Sequence, residues 1–504
     1  MISVSLILCG VGLVINEHAK ALRTNQQNTG NAAGYHVDTN ATNGLYVTTF
    51  TTPQGKIKLN LTDDLATGDT ISGTVVAEPT GKNGEHANAI GAMSHDHFTV
   101  PRPEIFESRN VNRLLLALLG IGVSCLLITL IIGFVAPAGS ALRKQFAFSW
   151  LFAFLYFFTI LIGCFFWIIV HHATDSGWGI VVRRQMENLA TLLPWMVLFF
   201  LPLFFVRRDI WDWISAKENP VLDPHLRDKL SFFELRFGSL VIPFFWVRSV
   251  LYFGYFSFAA LYFRRTSIRQ DSDGDPKWSI QMRGFSFPGI LLFAVCTTLV
   301  AFDWFSSPDY RWASTMWGVY IFAGAAGAGM ATIILVVMAL KNAGYLRFVN
   351  EEHYHIMGKL LFVFSIFWGY IGFSQYMLIW YANIPEETEW FLRRNVESWN
   401  VLTTFLVIGR FFIPFFYLLF QYTKRTPKFL AAISFWVLGM HVLDTYITIM
   451  PFLHQKGFEL SILDLLALLS IGPFLVFIFL RRLGGVSLFP ARDPRLLESL
   501  KLSN

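Results

Sequence analysis

Charged residues are scarce in this chain, which excludes several classes of protein. Asp, Glu, Lys and Arg make up 15% of the 504 residues, whereas soluble domains carry about 25%. Hydrophobic residues make up 54%, and apolar runs of about 20 residues, too long for soluble core helices, recur from Leu114 onward. A soluble enzyme, a coiled coil and a disordered scaffold are therefore excluded. The composition is that of a polytopic membrane protein.

Clustered metal ligands are also lacking. The four cysteines, Cys9, Cys125, Cys164 and Cys296, lie far apart and form no C-x-x-C motif. Ligands for attached haem c, iron–sulfur clusters and structural zinc are therefore missing. Of the 12 histidines only His441 lies centrally in a hydrophobic segment, which argues against a bis-histidine haem. We expect no metal site and no covalently bound cofactor in this chain.

The N-terminal part differs in composition from the rest. Residues 1–16 form a short apolar segment that resembles a signal or a short span. Residues 17–103 predict a β-rich module and linker, because 46–82 alternates β-branched and polar residues between Gly and Pro turns. If 1–16 is a cleaved signal, the module is exported and the C-terminus lies outside. The charge distribution disfavours that outcome, so the side that holds the module stays open.

The rest of the chain predicts an all-α membrane domain over 104–484 and a C-terminal tail over 485–504. It contains ten hydrophobic segments, which we expect to form two bundles with peripheral helices. Because ten is even, the first helix starts on the side that holds the C-terminus. Loops on that side, including Arg183 and Arg184, carry more Lys and Arg than the opposite loops, which predicts a cytoplasmic C-terminus. The segments are 113–136, 147–171, 189–206, 239–263, 285–303, 313–340, 358–382, 398–422, 429–450 and 460–480.

Ionisable residues deep in these segments are candidate functional residues, because a charge at membrane depth is costly. Arg248 and Arg410 lie near the middle of their segments. The alternative is that both are structural and paired with a carboxylate or with carbonyls freed near a proline. His441 and Asp444 are three residues apart on one helix face and could pass a proton between them. Here the alternative is an ion pair between Asp444 and one of the arginines.

Further candidates lie near the ends of the segments opposite the C-terminus. Asp303 closes the fifth segment. After it, Ser307 is expected to be the N-cap of the next helix, with Asp309 in its first turn. Gln375 and Tyr376 could hydrogen-bond a polar headgroup, or they could bond to neighbouring helices instead.

Three blocks of sequence carry a family resemblance. AFDWFSSPDYRWASTMWGVYIFAG (301–324), FWGYIGFSQYMLIWYANIPEETEWF (367–391) and the tail DPRLLESLKLSN (493–504) resemble one membrane subunit of alternative complex III, the bacterial quinol:cytochrome c oxidoreductase. The resemblance covers about 104–504 and is closest to the second of the two large membrane subunits, a distant relative of the polysulfide-reductase membrane subunit family. The β-rich module departs from this pattern, in which the segment before the first helix is short.

The resemblance implies a multi-pass subunit of the bacterial inner membrane. Its implied partners are the homologous membrane subunit, a periplasmic iron–sulfur protein, a multihaem cytochrome c and the lipid bilayer. No nucleic-acid partner is expected, because a net charge of +6 is typical of the positive-inside loops of a membrane protein. The family oxidises menaquinol, so menaquinol is the implied ligand. The chain would contribute a quinol-site-like bundle, a transmembrane proton pathway, or both, and would anchor the periplasmic subunits. We expect no catalysis from the isolated chain.

Two groups of residues follow as hypotheses. The proton-pathway candidates are His441, Asp444, Arg410 and Arg248. The quinone-site or periplasmic-face candidates are Asp303, Asp309, Arg311, Gln375 and Tyr376. One rival function is a secondary transporter, which would also carry midplane charges and would contain an inverted repeat. A second rival is a purely structural membrane anchor.

Overall fold

The computed structural model describes residues 45–52, 55–62, 70–78, 98–101, 103–107, 112–218, 223–237 and 240–502. The predicted apolar segment 1–16 and most of the predicted β-rich module lie outside these residues. Four strands, β1 Leu45–Thr52, β2 Gly55–Thr62, β3 Thr70–Glu78 and β4 Phe98–Pro101, pair antiparallel in the order β1-β2-β3-β4. Two short strands, β5 Leu235–Phe237 and β6 Leu240–Ile242, form a separate antiparallel pair.

Ten helices in the described part of the chain are long and apolar enough to cross a membrane. The predicted number of segments is therefore confirmed, and the chain is an all-α, multi-pass membrane protein over this region. Short helices at the bundle ends include Pro224–Phe233, Pro385–Leu392 and Leu496–Leu500. The ten long helices are α1 Asn112–Val135, α2 Ala141–Ala173, α3 Ile180–Phe205, α4 Phe244–Asp273, α5 Lys277–Ser306, α6 Trp317–Asn342, α7 Glu351–Ala382, α8 Glu397–Leu419, α9 Pro427–Phe452 and α10 Ile462–Leu483.

Several helices extend beyond their apolar runs. Helix α3 begins at Ile180, whereas the sequence predicted residue 189, so Arg183 and Arg184 are not loop residues as expected. They lie inside the helix and are only 3% and 0% exposed. Likewise α4 continues to Asp273 and α5 begins at Lys277, so the predicted loop 264–284 is mostly helical. Hydropathy does not predict these helix ends, because a polar helical turn has the same composition as a loop.

The helices form two four-helix bundles, α2–α5 and α6–α9. Helix α2 packs on α3 and α5, and α6 packs on α7 and α9 in the corresponding way. The bundles join where α2 packs on α6, while α1 and α10 pair with each other at the side. Helices four places apart run in the same direction across the membrane, so the second bundle repeats the first in a parallel sense.

Glycines allow the close approach of α2 and α6. A Cβ on Gly163 would lie 1.9 Å from the carbonyl oxygen of Ala325. A Cβ on Gly329 would lie 2.5 Å from the carbonyl carbon of Gly163. Contact between small residues is how membrane helices pack without a hydrophobic driving force.

We expect Gly163→Ala to lower the thermal stability of the detergent-solubilised chain, by about 1–3 kcal/mol of unfolding free energy, because the added methyl group forces the helices apart. The matched control is Gly254→Ala in α4, where an added Cβ meets nothing within 4 Å. That control should lose nothing and could gain up to about 1 kcal/mol from helix propensity. Equal melting temperatures for the two variants would contradict the close contact.

Candidate functional site

The two faces of the bundle can be named from their loops. The tail face holds the C-terminal residues 484–502 and the loops 174–179 and 343–350; the opposite face holds 307–316 and 383–396. Residues 103–107 also lie at the tail face, because the Leu488 amide donates to the Glu104 carbonyl at 2.8 Å. The start of α1 and the C-terminus therefore share one face, as the even number of helices requires.

The first buried charge cluster joins α4 to α5 near the opposite face. Because α4 begins only at Phe244, Arg248 lies in its second turn and not near the middle of the segment, as the sequence predicted. Asp303 is fully buried, and Arg248 donates to both its oxygens, from Nε at 2.8 Å and from Nη2 at 2.6 Å. Tyr252 donates its hydroxyl to Asp303 at 2.6 Å. The guanidinium also stacks on Phe232, with 4.0 Å to the ring centroid, and donates to the Phe232 carbonyl. Such a bidentate, charge-assisted pair is strong and geometrically specific.

Asp303 lies in a π-helical turn, Ala301–Ser306, which ends α5. The turn changes the role of Ser307, whose hydroxyl donates back to the Asp303 carbonyl. The following helix begins at Trp317. The predicted N-cap at Ser307 is therefore wrong, because this hydroxyl completes the preceding helix instead of starting the next one. Asp309 lies in the connecting turn and pairs with Arg393 at 2.7 Å.

The second buried charge cluster joins α8, α9 and α6 deeper in the bundle. Arg410 Nη1 lies 3.6 Å from Asp444 Oδ2, too far for a hydrogen bond. Asp444 instead accepts a 2.5 Å hydrogen bond from Tyr320. Arg410 donates to the Gly324 carbonyl at 3.3 Å and lies over the Trp368 ring, 4.9 Å from its centroid. This arginine and aspartate are thus more loosely paired than Arg248 and Asp303.

His441 faces a different helix from Asp444. Its Nε2 lies 2.8 Å from the Thr159 hydroxyl on α2, and its ring centroid is 5.6 Å from that of Tyr156. Three buried atoms here, His441 Nδ1, the Tyr156 hydroxyl and Arg410 Nη1, have no hydrogen-bond partner among the described residues. The expected transfer between His441 and Asp444 would therefore need an intervening group. Buried polar atoms without protein partners are commonly satisfied by water.

The two clusters lie on corresponding helices of the two bundles, although at different depths. Each arginine comes from the third helix of its bundle and each aspartate from the fourth. Arg410, like Asp303, lies in a π-helical turn, Ile408–Phe412. Such turns are rare and often occur at functional sites. The sequence identified all four charged residues but contained no signal for the π-helical turns.

The remaining predicted residues lie at the opposite face, apart from the clusters. Gln375 is buried and donates to the Ser314 hydroxyl at 2.8 Å; Ser314 lies in the connecting loop 307–316, so this bond joins the helix to a loop and not to a neighbouring helix. Tyr376 is 45% exposed and packs against the ring of Phe391. Arg311 is largely exposed, with Nε 3.5 Å from a carboxylate oxygen of Asp223.

Sequence reasoning missed Arg394, which follows the short helix Pro385–Leu392. It is buried, donates to the carbonyls of Ile447 and Thr448 at the end of α9, and lies 3.5 Å from the Trp390 ring centroid. Burial lowers the pKa of this guanidinium well below its ordinary value. Its contacts stabilise the free carbonyls at a helix end, which indicates a structural role.

A cavity of about 820 Å³ opens at the opposite face. Among its lining residues is Gln145, which donates to Asp464 at 3.2 Å; Asp464 also accepts from Ser149 at 2.5 Å and from Tyr446 at 3.1 Å. The sequence did not single out Asp464. It belongs to the capping box at the start of α10, and an acidic residue in the first turn of a helix is an ordinary feature of a sequence. Charged residues of both signs line the cavity, including Lys144, Asp212, Asp309, Arg311, Arg393 and Glu459.

Within the described ranges, no group of three or more His, Cys, Asp or Glu side chains could hold a metal ion. Comparison with known proteins gives no assignment, since no family model matches the chain and no curated protein matches it.

Proposed function

We propose that this chain is a membrane subunit of a respiratory quinol:cytochrome c oxidoreductase of the alternative complex III type. In this proposal it contributes a buried proton pathway beside, or as part of, a quinol-site-like bundle. The observation that carries the proposal is the cluster of Arg410, Asp444 and Tyr320. An incompletely paired carboxylate within a membrane bundle is a functional candidate by default.

The sequence blocks behind the resemblance supply much of this cluster. Tyr320 and Gly324 come from the block 301–324, and Trp368 comes from the block 367–391. The two blocks also contact each other through the Gln375–Ser314 hydrogen bond. A resemblance concentrated in segments that meet at one buried site supports a shared function better than a resemblance spread over lipid-facing positions would.

The chemistry of the cluster suits proton transfer. Asp444 has a hydroxyl donor on one side and a cation on the other, so proton occupancy can respond to small changes in either contact. Tyr320 lies towards the opposite face, where Asp309, Arg393 and the cavity are found. Water among the unpartnered atoms of Tyr156, His441 and Arg410 would complete a connection from His441 to that face.

The proposal extends to location and partners. The chain would lie in a bacterial inner membrane with its C-terminus in the cytoplasm. The opposite face would then meet the periplasmic iron–sulfur protein and multihaem cytochrome c, with the homologous membrane subunit alongside and menaquinol as reductant. Asp309, Arg311 and Tyr376, which lie at the opposite face, are the candidates for contact with those subunits.

Purification through a C-terminal tag in mild detergent tests the proposal. We expect a multihaem cytochrome c and a large iron–sulfur protein to co-elute with the chain, as detected by haem staining and mass spectrometry. Quinol oxidation should be found in that fraction and not in the chain alone. A haem-free chain that elutes by itself from its native membrane would overturn the assignment.

One observation favours a secondary transporter as the second candidate. The two bundles repeat in a parallel sense, and each contains an arginine–aspartate cluster. The inverted repeat expected of a transporter differs from this arrangement, but parallel repeats also occur in transporters. A haem-free chain that accumulates a solute in proteoliposomes would favour this candidate.

The third candidate function, a purely structural membrane anchor, is supported only by the cluster of Arg248 and Asp303. Arg248 is fully paired with Asp303, as a structural arginine would be, whereas Arg410 is not paired in this way. Near-normal quinol oxidation and proton release in Arg248, Arg410 and Asp444 variants of the intact complex would favour the anchor.

A further inference from the structure

The first three turns of α3 are polar but lie wholly inside the protein. Every residue from Ile180 to Ala190 is buried, including Arg183, Arg184 and Glu187. This segment lies at the tail end of the first bundle, away from both clusters described above. Burying this many polar groups is costly unless each has a partner.

Ion pairs supply some of those partners. Arg183 donates to Asp493 of the C-terminal tail at 2.7 Å, and Arg184 donates to Asp271 of α4. Glu187 lies between the two arginines, with an oxygen 3.3 Å from Arg183 Nε and the other 3.6 Å from Arg184 Nη1. These last contacts bring opposite charges together but are not hydrogen bonds.

The charges balance within the group. Arg264 of α4 adds a third cation and donates to Asn188, so three arginines face the three carboxylates of Glu187, Asp271 and Asp493. A balanced group has no excess charge to attract a further ion. The ligand that suits it is neutral and able both to donate and to accept hydrogen bonds.

Many polar atoms in this region lack hydrogen-bond partners. In the part of the chain that the structure describes, they include both carboxylate oxygens of Glu187 and nitrogens of Arg184 on its neighbouring turn. Others come from the two surrounding helices, α2 and α4. These atoms belong to His171, His172, Ser267 and Asp271.

We propose that these residues enclose a hydrated chamber, in which several water molecules bridge Glu187, Arg184, the histidine pair and Ser267. The unpartnered atoms include donors on Arg184 and acceptors on Glu187 and Asp271. A buried water needs two to four polar partners, so the site suits water. In the proposed function, the chamber would supply the proton pathway with water at the tail face. This role of the chamber rests on the proposed function.

The C-terminal tail closes the chamber. Asp493 holds Arg183 from the tail side, and Gln185 donates to the Leu488 carbonyl at 2.7 Å. Phe489 and Leu496 of the tail are buried alongside. Exchange of the chamber water with bulk solvent therefore requires the tail to move or the partly exposed Asp271 to admit solvent.

Cysteine labelling tests hydration, because thiosulfonates react with the thiolate, which forms readily only in contact with water. In a parent whose four native cysteines are alanine, Ser267→Cys should be labelled by aminoethyl methanethiosulfonate. The matched control is Ser286→Cys on α5, equally buried but with its hydroxyl bonded to the Met282 carbonyl; it should stay unlabelled over the same period. Asp493→Ala should increase the labelling rate of Ser267→Cys severalfold.

Failure to label Ser267→Cys even when Asp493→Ala has released the tail, or equal labelling of both serine positions, would overturn the chamber. A cryo-EM map of the unmodified chain provides a second test that needs no variant: water density beside Glu187 supports the proposal, and direct side-chain packing without such density overturns it. Neither measurement depends on quinol oxidation. A hydrated chamber in a chain that purifies without redox partners would therefore refute the proposed function and leave the chamber intact.

Discussion

Asp303→Ala is expected to produce the largest loss of stability of any single substitution considered for this protein. The change removes the carboxylate that receives both Arg248 hydrogen bonds and the Tyr252 hydroxyl. A buried arginine would remain without a counter-charge. Breaking a buried pair by removing one partner costs about 3–5 kcal/mol, which is a large fraction of the stability of a typical domain.

Thermal unfolding in detergent, followed by fluorescence, measures this loss. The matched control removes a carboxylate from an exposed ion pair, Glu218→Ala, whose partner Arg208 lies at 2.8 Å with both side chains more than half exposed. Such a pair contributes about 0–1 kcal/mol. The double variant Arg248→Met with Asp303→Leu should recover much of the lost stability, since apolar replacement of a whole buried pair is often neutral.

A small effect of Asp303→Ala, similar to that of Glu218→Ala, would mean that water replaces the carboxylate and that the pair of Arg248 with Asp303 contributes little to stability. Failure of the double variant to recover would indicate a role for the hydrogen bond from Tyr252 or for the carbonyl contact to Phe232. Each result would revise the structural interpretation of this cluster.

Asp444→Asn is expected to abolish proton release coupled to quinol oxidation while the complex still assembles. Asparagine keeps the shape of aspartate and an oxygen that accepts from the Tyr320 hydroxyl, but its amide cannot take up and release a proton. Arg410 would retain its bond to the Gly324 carbonyl and its contact with Trp368. The loss of stability should therefore be smaller than for Asp303→Ala, because Arg410 Nη1 and Asp444 Oδ2 are 3.6 Å apart and form no hydrogen bond that could be lost.

Proton release from proteoliposomes that contain the purified complex provides the measurement. Tyr381→Phe is a suitable control, since it removes a hydroxyl from α7 at a position that is 84% exposed. Tyr320→Phe should reduce proton release as Asp444→Asn does, because it deletes the donor beside the carboxylate. Unchanged proton release in Asp444→Asn would eliminate Asp444 from the pathway.

The two predictions separate two uses of the same residue types. A bidentate pair with an additional hydroxyl donor holds its charges in one arrangement, whereas a loose pair with unpartnered neighbours can change its protonation state. The parallel repeat of the bundles places both clusters on corresponding helices. Within one architecture, the distance between arginine and carboxylate is thus the feature that distinguishes a structural cluster from a candidate proton site.

The sequence alone determined the number of membrane helices. Hydropathy sums over about 20 residues, so it identifies an apolar span without knowledge of its neighbours. The cost of a charge at membrane depth likewise singled out Arg410 and Asp444 without any structure. Arg248 was singled out on the same ground, but it lies in the second turn of α4. Helix ends were less predictable, because the polar start of α3 has the composition of a loop until its buried partners are known.

Only the tertiary structure decided which charges meet. Arg248 and Asp303 are 55 residues apart, and no local pattern distinguishes this pair from other combinations of deep charges. His441 and Asp444, neighbours on one helix face, proved to bond to different helices, α2 and α6. The buried position of Arg183 depends on Asp493, from the far end of the chain. A polar group in a membrane protein is stabilised by partners from distant segments, and packing alone brings those partners to it.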